Sequence, residues 1–275
     1  REAGSGGPET GAATISIEKF TLGQGYLVEP VQVTFNKGDT AADVTKALLT
    51  ELYGAEAYIG NNSEYSFYLA HIYDPNRGGL NIPSFITDAL TSDGTALNTE
   101  DSDPDYLGEY DYPSTSGWMI TVNNLFIPVS SGAWELEDGD VIRWQFTLYG
   151  LGADVGNSSP DSSYGGRDSI IPATDKDALT ERVAEINGRA DKDELLQIGG
   201  NQEKNDQAIA VLNNLLSEQE AIDQALTALN NLEGIATSTT LTPEVEASDG
   251  TAAAKMTEAD MEGAIEAIKQ DGGDI

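Results

Sequence analysis

The chain has no cysteine and a single histidine, His71. The first absence excludes disulfides, thiolate metal sites and cysteine nucleophiles. Together the two scarcities remove the usual catalytic triads and zinc sites. Bases are few as well: 14 Lys and Arg stand against 47 Asp and Glu, a formal net charge of −33. Such a chain repels phosphate backbones and anionic headgroups, so no nucleic-acid partner is expected and anionic membrane surfaces are disfavoured. No apolar run reaches the length of a membrane span, and no membrane insertion is expected. A glycine-rich phosphate loop is missing too, since GQGYLVEP carries neither the lysine nor the helix that such a loop needs.

What is present points to several small domains. The 275 residues are 39% hydrophobic, enough for real cores. Residues 1–12 are rich in Gly, Ser, Thr and Glu and are expected to be a disordered tail. They read as the start of a mature or excised fragment whose export signal lies outside this sequence. Residues 13–155 hold most strand signals. Ile15 and Ile17 alternate with polar neighbours, as do Val31, Val33 and Phe35, then Trp118, Ile120 and Val122, then Ile142, Trp144, Phe146 and Leu148. Period two with β-branched and aromatic residues predicts half-buried strands. One helix is expected among them, with a Thr40–Asp43 capping box ahead of Val44, Ala47, Leu48 and Leu52. The fold class expected of this region is α+β.

Residues 156–167 include GNSSPDSSYGG, a linker by composition, and few contacts are expected to cross it. Residues 168–236 predict a three-helix bundle. Thr174 and Asp177 suggest a capping box before Leu179, Val183 and Ile186; Ile209, Leu212 and Leu216 mark a second helix. Ser217 and Glu220 suggest a cap for the third, which carries Ile222, Leu226, Leu229 and Leu232. Residues 237–275 read as strand, strand and helix, with Thr240–Val245, Thr251–Met256 and a helix bearing Met261, Ala264, Ile265 and Ile268. A β-β-α piece that small cannot bury a core alone, so it reads as the start of a further module.

Four stretches of the first region carry a family resemblance. They are ISIEKFTLGQGYLVEP (15–30), GDTAADVTKALL (38–49), LGEYDYPSTSGWMITVNN (107–124) and LEDGDVIRWQFTLYGLGADVG (136–156). The region resembles the bacterial DUF4430 family, related to the C-terminal β-domain of the vitamin B12 carriers transcobalamin and intrinsic factor. The resemblance implies a β-rich domain and a corrinoid or similar planar ligand, cobalamin being the family's model. The α/α-barrel that completes the carriers' site has no counterpart here. AIAVLNNLLSEQEAIDQALTALNNLE (208–233) resembles the FIVAR modules of Gram-positive surface proteins, which implies a spacer between binding domains of an exported protein.

The chemistry-bearing residues fall in two sets. Asp101, Asp103, Asp105, Glu109 and Asp111 lie in EDSDPDYLGEYDY, where alternating carboxylates could supply several of the six to eight oxygens that Ca²⁺ takes. Tyr106 and Tyr112 occupy the positions where an EF-hand has its turn glycine and bidentate glutamate. The plain reading is a solvated acidic loop, and a calcium site is the functional one. The second set is aromatic: Tyr26, Trp118 and Trp134 could build a stacking platform for a planar or sugar ligand. Core packing is the plain reading of each. By the resemblance, the hairpin carrying Ser116, Gly117 and Trp118 corresponds to the corrinoid-facing part of the B12 carriers. His71, in the apolar run SFYLAHIYD, reads as structural.

The sequence thus leads to a secreted, cell-wall-associated multidomain protein. It binds a small molecule through its first region, calcium-assisted or not, with the helices as spacer. The alternative is an adhesive module recognising protein or glycan; a carboxylate-pair glycosidase comes last, because no acid stands out beside an apolar patch. No catalytic residues are expected, and the chain is expected to act as a monomer.

Overall fold

The protein is described by a computed structural model over residues 10–63, 66–100, 103–159 and 165–234, with the backbone of 244–248 and 251–255. In chain order the first region runs β1 (Thr10–Glu18), β2 (Tyr26–Asn36), α1 (Ala41–Tyr53), β3 (Tyr58–Ser63), β4 (Ser66–Tyr73) and α2 (Ser84–Ser92). It continues with β5 (Tyr106–Gly108), β6 (Gly117–Val122), β7 (Leu125–Phe126) and β8 (Val141–Thr147). Then follow α3 (Asp177–Asn187), α4 (Lys192–Leu196), α5 (Asn201–Asn213), α6 (Gln219–Asn230), β9 (Glu244–Ser248) and β10 (Thr251–Lys255). The class is α+β, as the alternation and the helical periods predict.

The eight strands of the first region form two sheets. The larger has the order β2-β1-β8-β6-β7, the smaller β3-β4-β5. Within the larger sheet β1 pairs antiparallel with β2 but parallel with β8, Ile15 lying opposite Ile142 and Ile17 opposite Trp144. That register puts Ile15, Ile17, Ile142, Trp144, Phe146, Trp118 and Val122 on one face. There they share a core with Leu48 and Leu49 of α1, Ile86 and Leu90 of α2, and Leu69 and Ile72 of β4. Burying each such aliphatic side chain contributes about 1.5–3 kcal/mol. The capping box that starts α1 is present: Asp43 N–H donates to Thr40 Oγ1, and Thr40 N–H to Asp43.

The first region holds two helices where one was expected. α2 escaped because Pro83 stands at its N-cap without a side-chain cap, and only Ile86 and Leu90 are buried, one turn apart. The second helical start also differs. α3 begins at Asp177, whose N–H donates to Asp175 Oδ1 at 2.9 Å, so Thr174 is not its cap. Ser217 does not cap α6 but donates to the Val211 carbonyl at 2.8 Å. A short fourth helix, α4, joins the three long ones. Leu179, Val183, Ile186, Leu212, Ile222 and Leu229 form a second core among them.

The opposite face of the larger sheet departs furthest from the half-buried pattern. β8 is buried at all seven positions, polar ones included. Thr14, Ser16 and Glu18 of β1, Thr121 of β6, and Arg143, Gln145 and Thr147 of β8 are all buried. α3 covers this face, packing on β2, β1 and β8. The connection leading to it is held at both ends. Ser159 N–H donates to the Arg167 carbonyl at 3.0 Å, and Arg167 pairs with Asp93 at 2.8 Å. Ile170 and Ile171 then pack against the first core. Gly/Ser composition reports how freely a backbone can bend; it carries no information about the Ile170–Ile171 pair that brings the chain back.

β9 and β10 form an antiparallel hairpin, Val245 opposite Ala254. The helix expected around Met261–Ile268 and residues 1–9 of the expected tail 1–12 lie outside the described residues; residues 10–12 are no tail but the start of β1, paired with Thr34–Asn36 of β2.

Candidate ligand cleft over the polar sheet face

The expected ligand set is dispersed. Trp118 is a core residue, 9% exposed; its ring meets Phe146 edge-on at 5.0 Å and its Nε1–H donates to the Leu107 carbonyl at 3.0 Å. The expectation of a ligand-facing Trp118 is therefore corrected. As an inward position of β6 it faces the shared core, and its indole N–H finds a carbonyl partner there. Ser116 beside it is buried with an unpartnered Oγ, and Gly117 opens β6 opposite Thr147. Trp134 is partly buried against the same core, at the end of the 3-10 turn Ser131–Ala133. Tyr26 lies far from this group in the sheet, on edge strand β2. Its ring packs edge-on to Phe20 at 4.9 Å. Burial, and next the charge of Glu18, push its hydroxyl pKa well up, and the hydroxyl makes no hydrogen bond.

The expected metal set is not gathered either. Asp101 lies outside the described residues. Asp103 and Asp105 lie in a tight local turn, Asp105 N–H donating to Asp103 Oδ1 at 3.0 Å. Glu109 accepts from the Tyr68 hydroxyl. Asp111 is buried and accepts from the Gly108 N–H at 2.7 Å. Arg77 reaches into this loop, donating to the Asp103 carbonyl and standing 3.9 Å from Asp111 Oδ2. A guanidinium thus occupies the position of charge that a cation would take. Among the described residues no three Asp, Glu or His side chains converge as a metal site would require. The His71 ring lies over Gly108 of the neighbouring strand, where a Cβ could not fit, and its buried Nδ1 has no hydrogen-bond partner among the described residues.

The residues that do converge are on the buried polar face. Glu18 on β1 receives Arg143 on β8 twice, Nε to Oε1 at 2.8 Å and Nη2 to Oε2 at 2.9 Å. Ser16 donates to the same Glu18 at 2.8 Å. Asp177, at the start of α3, stands 3.8 Å from Arg143 Nη1; its carboxylate oxygens are buried near the Asn124 backbone N–H, with no side-chain partner within hydrogen-bond distance. Burial raises the Asp177 pKa to about 6, against the opposing pull of Arg143. Burial also works against the charge of Arg143, but Glu18 and then Asp177 more than offset it and hold its pKa above the usual value. Lys176 lies 6.0 Å over the Phe20 ring and donates to the carbonyls of Leu212 and Asn214, both at 2.9 Å. Burial lowers its pKa to about 7, and the nearby Arg143 charge adds to that.

Between this cluster and the returning chain is a cleft of about 410 Å³. Arg143, Gln145, Asn124 and Lys176 make its polar wall; Phe126, Val155, Ile171 and Leu215 make the apolar one. Gln219 of α6 closes one side by holding Asp175, accepting from its N–H at 2.7 Å and donating to its carbonyl at 3.1 Å. The volume is within the range of small-molecule sites, roughly 300–1,000 Å³. Sequence reasoning missed Glu18, Arg143 and Gln145 because alternation assigns them to solvent, and Lys176 and Asp177 because they read as an ordinary helix start. The one available signal was rarity: a chain with 14 bases places Lys19, Arg143 and Lys176 in its interior.

The polar wall residues Asn124, Arg143 and Gln145 belong to a recognisable segment. The DUF4430 family, described as a domain of unknown function, matches residues 105–147, from β5 to the end of β8. No curated protein matches the chain. Among solved structures, one similar chain is that of a candidate metal binding protein from Ruminococcus gnavus. It is 10% identical, with a TM-score of 0.23, and the alignment covers 51% of this chain and 97% of that one.

Proposed function

We propose that this chain is the ligand-binding part of an exported, cell-surface modular protein, and that it binds rather than transforms its ligand. The cleft between the DUF4430-bearing sheet and the helical segment carries the reading. It joins the buried Arg143 and Lys176 side chains to an apolar wall in a space suited to one small molecule. Glu18 is engaged by Arg143 and Asp175 by the Asp177 N–H, which suits holding a ligand more than moving protons. Surface display rests on the resemblance of residues 208–233 to FIVAR spacers. A corrinoid is not favoured, since the planar face expected of Trp118 is turned into the core. A thermal-shift screen of the chain against small acids, amines, sugars, cobinamide and Ca²⁺ tests the reading, because a ligand of the folded state raises Tm by mass action. Stabilisation by small organic molecules is expected; stabilisation by Ca²⁺ or a corrinoid alone would count against the cleft.

The adhesive reading has one observation of its own. A groove of about 680 Å³ runs between edge strand β2 and α1, lined by Val31, Val33, Leu48 and the exposed Leu52. Gln32, Thr34, Asp43 and Glu51 line it as well, and a strand edge unpaired among the described residues, beside a groove of such mixed lining, is a form that extended peptides recognise.

A further inference from the structure

Resting on that reading of the cleft, we propose that its ligand is a small monocarboxylate with an apolar body, its carboxylate set against the Nη1 edge of Arg143. The guanidinium is a fork of five donors. Nε and Nη2 are given to Glu18, and Nη2 also approaches Gln145 Oε1 at 3.4 Å. Among the described residues Nη1 has no acceptor within hydrogen-bond reach; Asp177 Oδ1 stands 3.8 Å from it. Lys176 directs two of its three ammonium protons at the Leu212 and Asn214 carbonyls, which leaves one. Both side chains line the cleft. The acid on the same wall, Asp175, already accepts the Asp177 N–H. The polar wall therefore offers unspent donors, and a bidentate acceptor such as a carboxylate matches a guanidinium edge.

Charge decides how many negative groups the ligand carries. Glu18, Asp177 and Asp175 stand against Arg143 and Lys176, so the idle donors of the two bases, and not a surplus of positive charge, are what an anion can use. One added anion is held by donors that are otherwise idle. A second would meet Glu18 and Asp177 in a buried setting where repulsion is weakly screened. Phe126, Val155, Ile171 and Leu215 then set the remainder of the molecule as hydrocarbon, branched or aromatic, of a size that about 410 Å³ admits.

Three probes of one shape separate the charge states: isovalerate, isovaleramide and isoamylamine, each titrated into the full chain at pH 7 by calorimetry and amide-resolved NMR. Isovalerate is expected to bind at least about ten-fold more tightly than the amide, with the amine weakest, as a charge-assisted pair implies. Ile171→Trp, which fills the apolar end, should abolish isovalerate binding while Tm is retained. The double variant Glu18→Gln with Arg143→Gln leaves two amides able to bond each other. It should weaken isovalerate at least about ten-fold and leave isovaleramide unchanged. Amide or amine binding as tightly as the acid, and blocked by Ile171→Trp, overturns the carboxylate and spares the cleft. Binding that Ile171→Trp does not touch overturns both. No binding of any probe to the folded wild type overturns the carboxylate proposal, and the broader thermal-shift screen then decides the cleft. If the double variant does not fold, the comparison of acid with amide on wild type and on Ile171→Trp still decides.

Discussion

Glu18 and Arg143 are diagonal neighbours across the parallel pair β1–β8: Ser16 lies opposite Arg143, and Glu18 opposite Gln145. The guanidinium leans along its strand to close a bidentate pair at 2.8 and 2.9 Å, with both side chains buried. Removing either partner alone leaves an uncompensated buried charge, which costs about 3–5 kcal/mol. Denaturant unfolding of Glu18→Ala, Arg143→Ala and the double variant should therefore show strong coupling, the double costing well under the sum. Additive losses would mean that the pair is solvated.

Trp118→Ala should act on folding. Loss of the indole from the shared core, and of its bond to the Leu107 carbonyl, should cost about 3–5 kcal/mol of stability. Ligand affinity of the folded fraction should not change. A variant of normal stability that has lost affinity would return Trp118 to the ligand face.

Two groups beside the cleft make stability depend on pH in opposite senses. Asp177 titrates near 6 in the folded chain against 3.8 as a free carboxylate, so the folded state binds the extra proton and stability falls as pH rises from 3.8 to 6. Lys176 titrates near 7 against 10.5, so the unfolded state binds the extra proton and stability rises from pH 7 to 10.5. Wild-type Tm minus that of Asp177→Asn should thus decline across the acid window. The difference from Lys176→Met should climb across the alkaline one. Flat difference curves would show that neither group is desolvated.

The acidic loop should be indifferent to metal while Arg77 is in place. Chelator and millimolar Ca²⁺ should leave the wild-type melting curve unchanged. Arg77→Met should lower Tm by removing positive charge from beside Asp111, and added Ca²⁺ should restore part of the loss. A chelator-sensitive wild type would reinstate a calcium site.

Cleavage within 160–164 should leave the two halves bound to each other. α3 packs on the first sheet, and Lys176 and Asp177 lie against Arg143 and Glu18. Nicked chain is expected to co-elute on gel filtration as one species. Separation into two folded fragments would mean that the seam is weak.

The core face of the fold was legible because period two leaves a mark in sequence. Ile15, Ile17, Ile142, Trp144 and Phe146 are where alternation puts them, and Thr40 and Asp43 cap α1 as spaced. The site was not legible for the same reason. Alternation distinguishes two faces of a strand but not whether the polar one meets water or another element, so Glu18 and Arg143 read as solvent-facing. Trp118 and the acidic loop drew attention by composition, yet an indole and a carboxylate look the same in sequence whether satisfied internally or waiting for a ligand. Only the partners, Leu107 and Arg77, separate the two cases.

The parallel pairing of β1 with β8 has a consequence in time. A chain emerging N-terminus first delivers Glu18 well before Arg143, which follows 125 residues later. Until then the β1–β2 hairpin keeps one edge unpaired, with a lone carboxylate on the face that will be covered. Local contacts within the hairpin form quickly, while the long-range register that centres the sheet must wait for the intervening chain. The hairpin is thus the segment most exposed to wrong partners during synthesis, and a holding chaperone would act before β8 arrives.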